Sequence, residues 1–453
     1  MKTKHYNVFV IGSGIAGQTV AKACVKQKLT VAIADNREFG GTCANRGCDP
    51  KKTLIQFSAF LEQSHRLEKI GVSKLPKISW KKVQQFKTQF VEDIPVKTEE
   101  NLKELKIDLY HQSPEFINEN QVLVEGKTIS ADYFVIATGN TPRILPIKGN
   151  QYLETSDTIL NMEKIPKSAS FIGSGYVGME FATMLAILGC KVTVFEQGDK
   201  ALSNFDQFLV EKLIVKMKDL GVNFIFNSEV SSIEKLNKNL RIKYKENGKK
   251  KRHKSRKVFN TAGRVPSVKD LKLDNANIKL DETGIVVNDF LQSTTNKKVY
   301  ACGDVSSLSL PLTPLSGLQG YIVGENIINN NKKEFQFPVV PSTVFTQPNL
   351  SSIGLQEDEA KKRYKNILVF KGEATDWFNA KKSNQNTYAY KIIVNKRTEE
   401  IVGAHILSEL ANENINLFSM AISNKMTVSE FKRLIFTYPS YSNDLKAMLA
   451  DED

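Results

Sequence analysis

The chain has 453 residues, of which 41% are hydrophobic and 25% are charged, and these values are ordinary for a globular protein. A chain of this length is expected to divide into about three domains. No apolar run approaches the roughly 18 residues that a membrane-spanning helix needs, and no secretory signal precedes the first predicted strand, so we expect no membrane partner. Five cysteines do not make a secreted disulfide scaffold, so we expect a cytoplasmic protein in which any disulfide is catalytic.

The net charge of +14 is densest between residues 241 and 257, a segment with a run of lysine and arginine. Such a surface can attract nucleic acid or acidic partners. However, Tyr244 is the only aromatic residue of this segment, so the sequence offers no stacking platform for bases. We interpret the segment as a solvated hairpin turn and expect no nucleic acid partner, with nucleic acid binding as the alternative.

A short apolar strand over residues 6–11 is followed by the sequence GSGIAG at residues 12–17 and then by a helical pattern. A second strand over residues 31–34 ends at Asp35, which lies 23 positions after the first glycine. In such a unit the glycines allow a tight turn and a close approach to a pyrophosphate, and the helix amino terminus faces the phosphates. The acid can accept hydrogen bonds from a ribose. The sequence therefore predicts a dinucleotide site that contains Gly12, Ser13, Gly14, Gly17 and Asp35.

A second unit of the same kind begins with a strand that ends at Ile172, followed by GSGYVG at residues 173–178 and a helix. The next strand, over residues 191–195, leads to Glu196, again 23 positions after the first glycine. One glycine motif alone is a weak signal, whereas two with the same strands, helix and acid are specific. The second predicted dinucleotide site contains Gly173, Gly175, Gly178 and Glu196.

The rest of the chain alternates between helical and strand-like patterns. Residues 51–105 have helical spacing, and residues 121–136 alternate like strands. After residue 341, strands over residues 388–394 and 401–406 are followed by helices, which indicates a separate α+β module. The predicted fold class is α/β, with two Rossmann-like dinucleotide-binding domains and a C-terminal α+β domain.

Cys43 and Cys48 lie five positions apart in the sequence GGTCANRGCDPKK at residues 40–52. Pro50 favours a helix that this pair opens, and a helix amino terminus stabilises a thiolate. A cysteine pair beside a flavin can take up electrons and pass them on by disulfide exchange. The alternatives are a structural disulfide or half of a metal site, but metal sites usually combine two CxxC pairs, and the sequence has no second pair. We predict a redox-active pair and no metal site. The other three cysteines are predicted to be core residues: Cys24, Cys190 and Cys302.

The cysteine sequence resembles the signature GGTCxNxGCxPxK of the class I pyridine nucleotide-disulfide oxidoreductases, a family that includes glutathione reductase, dihydrolipoamide dehydrogenase and mercuric reductase. Other family motifs follow in order along the chain: ATG at 137–139, AGR at 262–264, YACGD at 300–304, LTP at 312–314, PSTVFTQP at 341–348 and VGAHIL at 402–407. The resemblance implies an FAD-binding domain over residues 1–146 and 269–338, an NAD(P)-binding domain over 147–268, and a dimerisation domain over 339–453. It also implies a homodimer.

The resemblance further implies a role for each residue that matches a family motif. Cys48 would be the flavin-proximal sulfur that forms a charge-transfer thiolate, and Cys43 would be the interchange thiol that attacks the substrate. Lys51 would pair with Glu180 near flavin N5, and Tyr176 would be the gate over the flavin. The remaining implied cofactor contacts are Gly41, Thr42, Thr138, Gly139, Gly263, Arg264, Asp304 at the ribityl chain and Thr313 near the isoalloxazine.

The acid that follows the second strand of the second nucleotide unit indicates which nicotinamide dinucleotide is used. Glu196 stands where an NADPH-dependent enzyme usually carries arginine or another group that accepts a 2′-phosphate. A carboxylate at this position hydrogen-bonds the free ribose hydroxyls and repels a phosphate. We therefore predict FAD and NADH as cofactors, with NADPH as the less favoured alternative.

The C-terminal tail departs from the family pattern. Family members that act on dithiols carry a histidine and a glutamate there, and here Tyr438 and Asn443 take those places. None of the five histidines lies in the tail. An unperturbed phenol, with a pKa near 10, is a poor base at neutral pH but can donate a proton to a thiolate. A dihydrolipoamide dehydrogenase is therefore disfavoured, and either Tyr438 or Tyr441 would be the proton donor.

The leading functional prediction is reduction of a low-molecular-weight disulfide through Cys43 and Cys48. The resemblance does not establish glutathione disulfide as the substrate, because Ile15 and Lys22 occupy the positions where glutathione reductase has a serine and an arginine that hold its substrate. The first alternative is a mercuric, other metal-ion or quinone reductase, with Tyr438 in place of the usual histidine. The second alternative is an FAD-binding redox sensor or interaction protein with weak turnover.

Overall fold

The computed structural model describes residues 3–68 and 70–450. These residues fall into two compact units. The first unit comprises residues up to 51, 85–143 and 264–338, and the second comprises residues 52–84, 144–263 and from 339 onward. The finer division into four domain segments, with boundaries at residues 146, 268 and 338, remains a prediction.

The strands, in chain order, are β1 (Lys4–Ile11), β2 (Val31–Ala34), β3 (Asp108–Tyr110), β4 (Glu115–Asn118), β5 (Gln121–Val124), β6 (Lys127–Ile136), β7 (Asn140–Pro142), β8 (Ser168–Ile172), β9 (Lys191–Phe195), β10 (Val222–Ile225), β11 (Ser228–Leu236), β12 (Asn239–Glu246), β13 (Lys249–Ser255), β14 (Lys257–Asn260), β15 (Arg264–Pro266), β16 (Val299–Ala301), β17 (Ser342–Val344), β18 (Asn349–Gly354), β19 (Ile367–Glu373), β20 (Ala389–Asn395) and β21 (Ile401–Ser408).

The α-helices are α1 (Ile15–Lys26), α2 (Gly41–Arg46), α3 (Cys48–Leu67), α4 (Trp80–Val91), α5 (Ile94–Glu104), α6 (Ser156–Asn161), α7 (Tyr176–Ile187), α8 (Gln207–Asp219), α9 (Thr313–Asn329), α10 (Glu357–Arg363), α11 (Phe378–Lys382), α12 (Ala411–Ser423), α13 (Val428–Arg433) and α14 (Tyr441–Ala447). Among the described residues, no helix is long and apolar enough to cross a membrane.

The first unit contains a mainly parallel sheet with the strand order β3-β2-β1-β6-β5-β4, and β16 pairs with β6. The β1 strand lies parallel to both β2 and β6, and its side chains from Val8 to Ile11 are buried. Near-continuous apolar strands of this kind are typical of parallel sheets that are covered on both faces. The α1 helix packs closely against α9, because Gly320 has no Cβ, which would lie only 2.5 Å from the carbonyl oxygen of Ala16.

The second unit repeats this construction with the parallel sheet β10-β9-β8-β14 and the α7 helix between β8 and β9. The strands predicted over residues 31–34 and 191–195 are present at those positions in both copies. The fold class is therefore confirmed as mixed α/β, with a mainly parallel sheet in the first unit and a parallel sheet in the second.

The basic segment forms an antiparallel hairpin of β12 and β13 in the three-stranded sheet β11-β12-β13. Its two turn residues, Asn247 and Gly248, have φ of 48° and 78°, as a tight hairpin turn requires. Lys250 and Arg252 on β13 are exposed. The interpretation as a solvated hairpin turn is confirmed.

The C-terminal module is built on the antiparallel sheet β17-β18-β21-β20-β19. Every residue of β20 and β21 is buried, and the α12 helix packs against this sheet. The strands predicted over residues 388–394 and 401–406 are present, shifted or extended by one or two residues. The α+β character of this segment is therefore confirmed, and its separation as a domain of its own remains a prediction.

A polar row crosses this otherwise apolar sheet. His405 on β21 is completely buried, and its Nδ1 lies 2.7 Å from the Ser352 hydroxyl, while its Nε2 lies 3.2 Å from the Leu355 carbonyl oxygen. Its cross-strand neighbour Lys391 forms an ion pair with Asp206 at 2.7 Å. Burial lowers the pKa of His405, with the Lys391 charge acting in the same direction and the Asp206 charge opposing it. His405 is thus a structural residue that is held neutral in the core.

We expect His405→Gln to reduce the acid sensitivity of folding. Because the folded-state pKa lies below the value of about 6.5 for an unfolded histidine, the unfolded chain binds more protons as the pH falls, and stability is lost. This one residue contributes up to about 1.4 kcal/mol of that loss between pH 7.5 and 5.5. Urea unfolding at both pH values measures it, and His5→Gln, at an exposed position, is the control. An unchanged pH difference in His405→Gln would contradict the assignment.

Candidate active site

The cysteine segment lies directly on the first glycine-rich loop. Gly40 and Gly41 have φ of 108° and 79°, in the left-handed region that favours glycine. A Cβ on Gly41 would lie 2.4 Å from the Cα of Gly14. The backbone of the segment therefore touches the loop, and no other residue type fits at Gly41 without a shift.

The two cysteines lie on separate helices, and this corrects one expectation. Cys48 opens α3, with Pro50 in its first turn, as predicted. Cys43 instead lies within the short α2 helix, which ends before Gly47. A Cβ on Gly47 would lie 2.7 Å from the Thr42 carbonyl oxygen, so the chain turns tightly between the two helices.

The α2 helix is held by its own polar side chains. The Asn45 side chain donates to the carbonyl oxygen of Phe39 at 2.9 Å. Arg46 forms an ion pair with Glu38 at 2.8 Å and is largely buried. These contacts are local and hold the α2 helix within its own segment.

The two cysteines of the pair differ from the others in exposure, because Cys43 is half-buried and Cys48 is exposed. The hydrogen bond to Cys48 raises the pKa of Cys43, and burial and the Asp49 charge add to this effect. A hydrogen bond from the Thr313 hydroxyl, at the start of α9, lowers the pKa of Cys43 and so favours its thiolate. The other cysteines are buried, as predicted, and burial raises the pKa of each to about 12: Cys24, Cys190 and Cys302.

The two nucleotide units carry the same serine–acid arrangement. The Asp35 carboxylate accepts hydrogen bonds from the backbone N and the hydroxyl of Ser13 at 2.8 and 2.7 Å. The Glu196 carboxylate accepts the equivalent bonds from Ser174 at 3.0 and 2.5 Å. Ser174 was absent from the predicted site, although its position matches that of Ser13 in the first motif and could have revealed it.

The first unit contains polar groups that fit a flavin dinucleotide. The Thr138 Oγ1 atom is buried and has no hydrogen-bond partner among the described residues. At the carboxyl end of β16, burial raises the pKa of Asp304, although the charge of Arg264 opposes this shift. The Ser316 hydroxyl donates to Asp304 at 3.3 Å. An orphaned hydroxyl and a partly buried carboxylate both suit a polar ligand that supplies the missing partners.

In the second unit, Glu180 on α7 is almost completely buried and is fully engaged by hydrogen bonds. One carboxylate oxygen accepts from Lys52 Nζ at 2.8 Å, and the other accepts from the backbone N of Phe345 at 3.0 Å. The Lys52 ammonium also lies over the Phe345 ring, 3.4 Å from its centroid. Sequence reasoning missed Lys52, because the role that the resemblance implies was assigned to the preceding residue, Lys51, which is itself buried. The pairing of Lys51 with Glu180 remains a prediction.

The tail separates the two tyrosines that were candidates for a proton donor. Tyr438 precedes Pro439 through a cis peptide bond and is 72% exposed, with its ring stacked on Phe378. Tyr441 is buried, and its hydroxyl donates to the Asn379 carbonyl oxygen at 3.2 Å. Of the two phenols, Tyr438 is the one that an incoming group can reach.

Among the described residues, no group of three or more histidine, cysteine, aspartate or glutamate side chains is arranged to hold a metal ion.

Comparison with known proteins gives a consistent picture. A family model described as pyridine nucleotide-disulphide oxidoreductase matches residues 6–320, and a model of the dimerisation domain of that family matches residues 340–449. The mercuric reductase of Lysinibacillus sphaericus is 28% identical, over 99% of this chain and 83% of its own length. The glutathione reductase of Nostoc sp. is 29% identical, over 98% of this chain and 100% of its own length.

Solved structures of similar fold include a Cu(II) complex of RclA, the HOCl-induced flavoprotein disulfide reductase from Escherichia coli. Its TM-score is 0.88 at 28% sequence identity, and the match covers 99% of both chains. A second RclA structure from Escherichia coli has a TM-score of 0.87 at 27% identity, and the match covers 98% of this chain and 99% of that one. The likeness therefore extends over both units and the C-terminal module.

Proposed function

The chain belongs to the pyridine nucleotide-disulphide oxidoreductase family, and from this premise we propose that it reduces a low-molecular-weight disulfide with electrons from NADH. Its homologues and structural neighbours are flavoprotein disulfide oxidoreductases, so it is an enzyme of that general class. The observation that carries the finer proposal is the thiol pair. Cys43 and Cys48 are hydrogen-bonded and reachable from solvent, whereas the other cysteines are buried.

The proposed cycle uses the two thiols in turn. Bound FAD supplies the two-electron chemistry that connects the nicotinamide to the Cys43–Cys48 disulfide. Reduction breaks that disulfide and leaves two thiols. The Cys43 thiolate then attacks one sulfur of the substrate disulfide, which forms a mixed disulfide and releases the first substrate thiol. Cys48 attacks the Cys43 sulfur, which re-forms the pair and releases the second thiol.

The residues proposed to hold the cofactors belong to the two repeated nucleotide units. Ser13 and Asp35, with Thr138 and Asp304, would hold FAD, and the orphaned Thr138 hydroxyl supports this assignment. In the second unit the Glu196 carboxylate would bind the adenosine ribose of NADH.

Anaerobic addition of NADH to the FAD-loaded protein is expected to produce a long-wavelength absorption band, because the Cys48 thiolate would lie against the oxidised flavin. Cys48→Ser should abolish the band. Cys43→Ser is the matched control and should show the band before any NADH is added, since the flavin-proximal sulfur is then a thiolate without a disulfide partner and the flavin is still oxidised. Absorption spectra during the titration provide the measurement. Folded, FAD-loaded protein without the band would count against the proposed enzyme and favour a redox-sensing or interaction role.

We also propose that Tyr438 donates the proton to the departing substrate thiolate. In the homodimer that the dimerisation domain supports, the tail would reach the partner's thiol pair. The high exposure of Tyr438 within its own chain suits such a role.

Tyr438→Phe should therefore lower kcat for disulfide reduction by about 100-fold or more, a typical loss for a general acid. Thermal stability should change little, because the side chain is 72% exposed. Tyr441→Phe is the matched control: it removes a buried hydroxyl, so it should lower the melting temperature and leave kcat within about twofold. Turnover of Tyr438→Phe at the parental rate would remove this residue from the mechanism.

For the nicotinamide, we propose a preference for NADH, because Glu196 would repel a 2′-phosphate. We expect kcat/KM to be higher with NADH than with NADPH, and Glu196→Gln should lower the ratio of the two values, because the charge that opposes the phosphate is lost. Glu211→Gln, which neutralises an exposed acid on α8, should leave the ratio unchanged. Steady-state kinetics with both dinucleotides provide the measurement, and a tenfold preference of the parent enzyme for NADPH would overturn the assignment.

Reduction of a metal ion is the second candidate, and two comparisons favour it. The chain resembles mercuric reductases over nearly its whole length, and it resembles RclA, whose structure was determined as a Cu(II) complex. A panel of disulfides, Hg(II), Cu(II) and quinones, each tested at matched NADH concentration, separates these activities. The disulfide proposal fails if only metal ions or quinones reoxidise the reduced enzyme.

A further inference from the structure

The antiparallel pair of β12 and β13 has one face lined with cations. Its register sets three cations of β12 directly opposite three cations of β13: Lys245 with Lys250, Lys243 with Arg252, and Arg241 with Lys254. Ile242 and Tyr244, which alternate with the β12 cations, are buried, so the cations lie on the opposite, outer face of the sheet. Like charges directly opposite each other in a sheet repel, so this arrangement is unfavourable in the protein alone.

The acids of the outer face lie on β11, on the other side of β12. Glu229 stands opposite Lys245 in the register, and the Glu234 carboxylate forms ion pairs with Arg241 and Lys243. No carboxylate among the described residues forms an ion pair with the three exposed cations of β13: Lys250, Arg252 and Lys254. The positive charge of the outer face is therefore uncompensated along β13.

The inner face of the same strand pair is packed and compensated. Lys251, which alternates with the outer cations, forms an ion pair with Glu246. The rings of Tyr244 and His253 both pack edge-on against Phe195, with centroids 5.0 and 5.6 Å away. The outer face of β12 and β13 consequently has no aromatic ring on which a base could stack, which disfavours single-stranded nucleic acid as its occupant.

The β13 strand is the edge of the sheet β11-β12-β13, and no other described strand pairs with its outer side. Alternate N–H and C=O groups of an edge strand point away from the sheet, and an extended segment of another chain can pair with them. Lysines on an edge usually keep other strands away. Their repulsion acts on neutral or basic strands, and it becomes attraction for an acidic one.

The spacing of the β13 cations fits such an acidic strand. Side chains on one face of a strand recur every second residue, about 7 Å apart. Lys250, Arg252 and Lys254 have this spacing, because they occupy alternate positions of β13. An added strand with acids at alternate positions would therefore place one carboxylate opposite each of these cations, while its backbone pairs with the edge.

We propose that β13 is a docking strand for an extended acidic segment of another protein, which adds to the sheet edge with its acids at alternate positions. The partner is defined by this chemistry: a free backbone edge together with carboxylates opposite Lys250, Arg252 and Lys254. The surface uses none of the residues assigned to the cofactors or to the thiol pair. The proposal therefore goes beyond disulfide reduction and does not depend on it.

A short peptide in which glutamate and threonine alternate is the probe, titrated into the FAD-loaded full chain at low salt with calorimetric detection. Two matched peptides separate strand pairing from charge alone. One has the same composition with all glutamates before all threonines, and the other is the alternating peptide with N-methyl groups on its two central residues, one of each kind. We expect both to bind with a Kd at least about fivefold higher. Equal Kd values for the three peptides would overturn strand addition.

The combined variant Lys250→Gln, Arg252→Gln and Lys254→Gln should raise the Kd of the alternating peptide at least about tenfold, because the partners of its carboxylates are lost. Its melting temperature should not fall, because opposed like charges are removed. An unchanged Kd in this variant would overturn the proposal.

The matched control combines Lys81→Gln, Lys82→Gln and Lys218→Gln, which removes the same charge from exposed helical positions of the same unit. Its Kd for the alternating peptide should stay within about twofold of the parent value. The same loss of binding in both variants would mean that overall charge attracts the peptide, and the assignment to β13 would fail.

Nucleic acid is tested at the same salt concentration with a short single strand and a duplex of equal length. We expect both to bind the parent chain more weakly than the alternating peptide does. An oligonucleotide that binds the parent chain and is lost in the β13 variant, without binding of the alternating peptide, would overturn the proposal in favour of a nucleic acid surface.

Discussion

The contact between two glycine backbones determines where the thiol pair lies. Gly14 belongs to the first glycine-rich loop, and Gly41 opens the helix that carries Cys43. Neither residue has a side chain, so the cysteine segment lies directly on the loop that faces a dinucleotide pyrophosphate in units of this kind. A Cβ on Gly41 would come within 2.4 Å of Gly14, and the resulting shift would move the sulfurs relative to the nucleotide unit.

Opposing interactions set the reactivity of Cys43. The hydrogen bond to Cys48, burial and the Asp49 charge all raise its pKa and so keep it protonated. The Thr313 hydroxyl favours the thiolate. A basic thiolate is a strong nucleophile once it forms, so a raised pKa does not exclude attack on a disulfide.

The two nucleotide units use the same local serine–acid arrangement for two ligands. In each, an acid at the end of the second strand accepts two hydrogen bonds from the serine of the glycine-rich loop. These bonds hold the carboxylate at the mouth of the loop before any ribose arrives. Preorganisation of this kind lowers the entropic cost of binding. The two units differ in the acid, Asp35 in one and Glu196 in the other, rather than in the construction.

The sequence by itself determined the features that depend on local spacing. Glycine positions, apolar strands and the acids at their ends predicted both parallel sheets, and the basic segment predicted its hairpin, because turns and periodicity are encoded within about 20 residues. The motif order along the chain likewise indicated the family.

Only the tertiary structure decided which polar groups meet across long sequence distances. Lys52 on α3 and Glu180 on α7 are 128 positions apart in the chain, and they pair because folding brings these helices together in one unit. No local pattern encodes that contact. Tyr438 and Tyr441 lie three positions apart in the same tail, so the sequence does not distinguish them. Packing exposes Tyr438 and buries Tyr441. The break at Gly47, which places the cysteines on two helices, depends instead on a local backbone contact with Thr42 that the spacing of the cysteines does not reveal. Local chemistry thus predicted which residues matter, and long-range packing decided which of them can act.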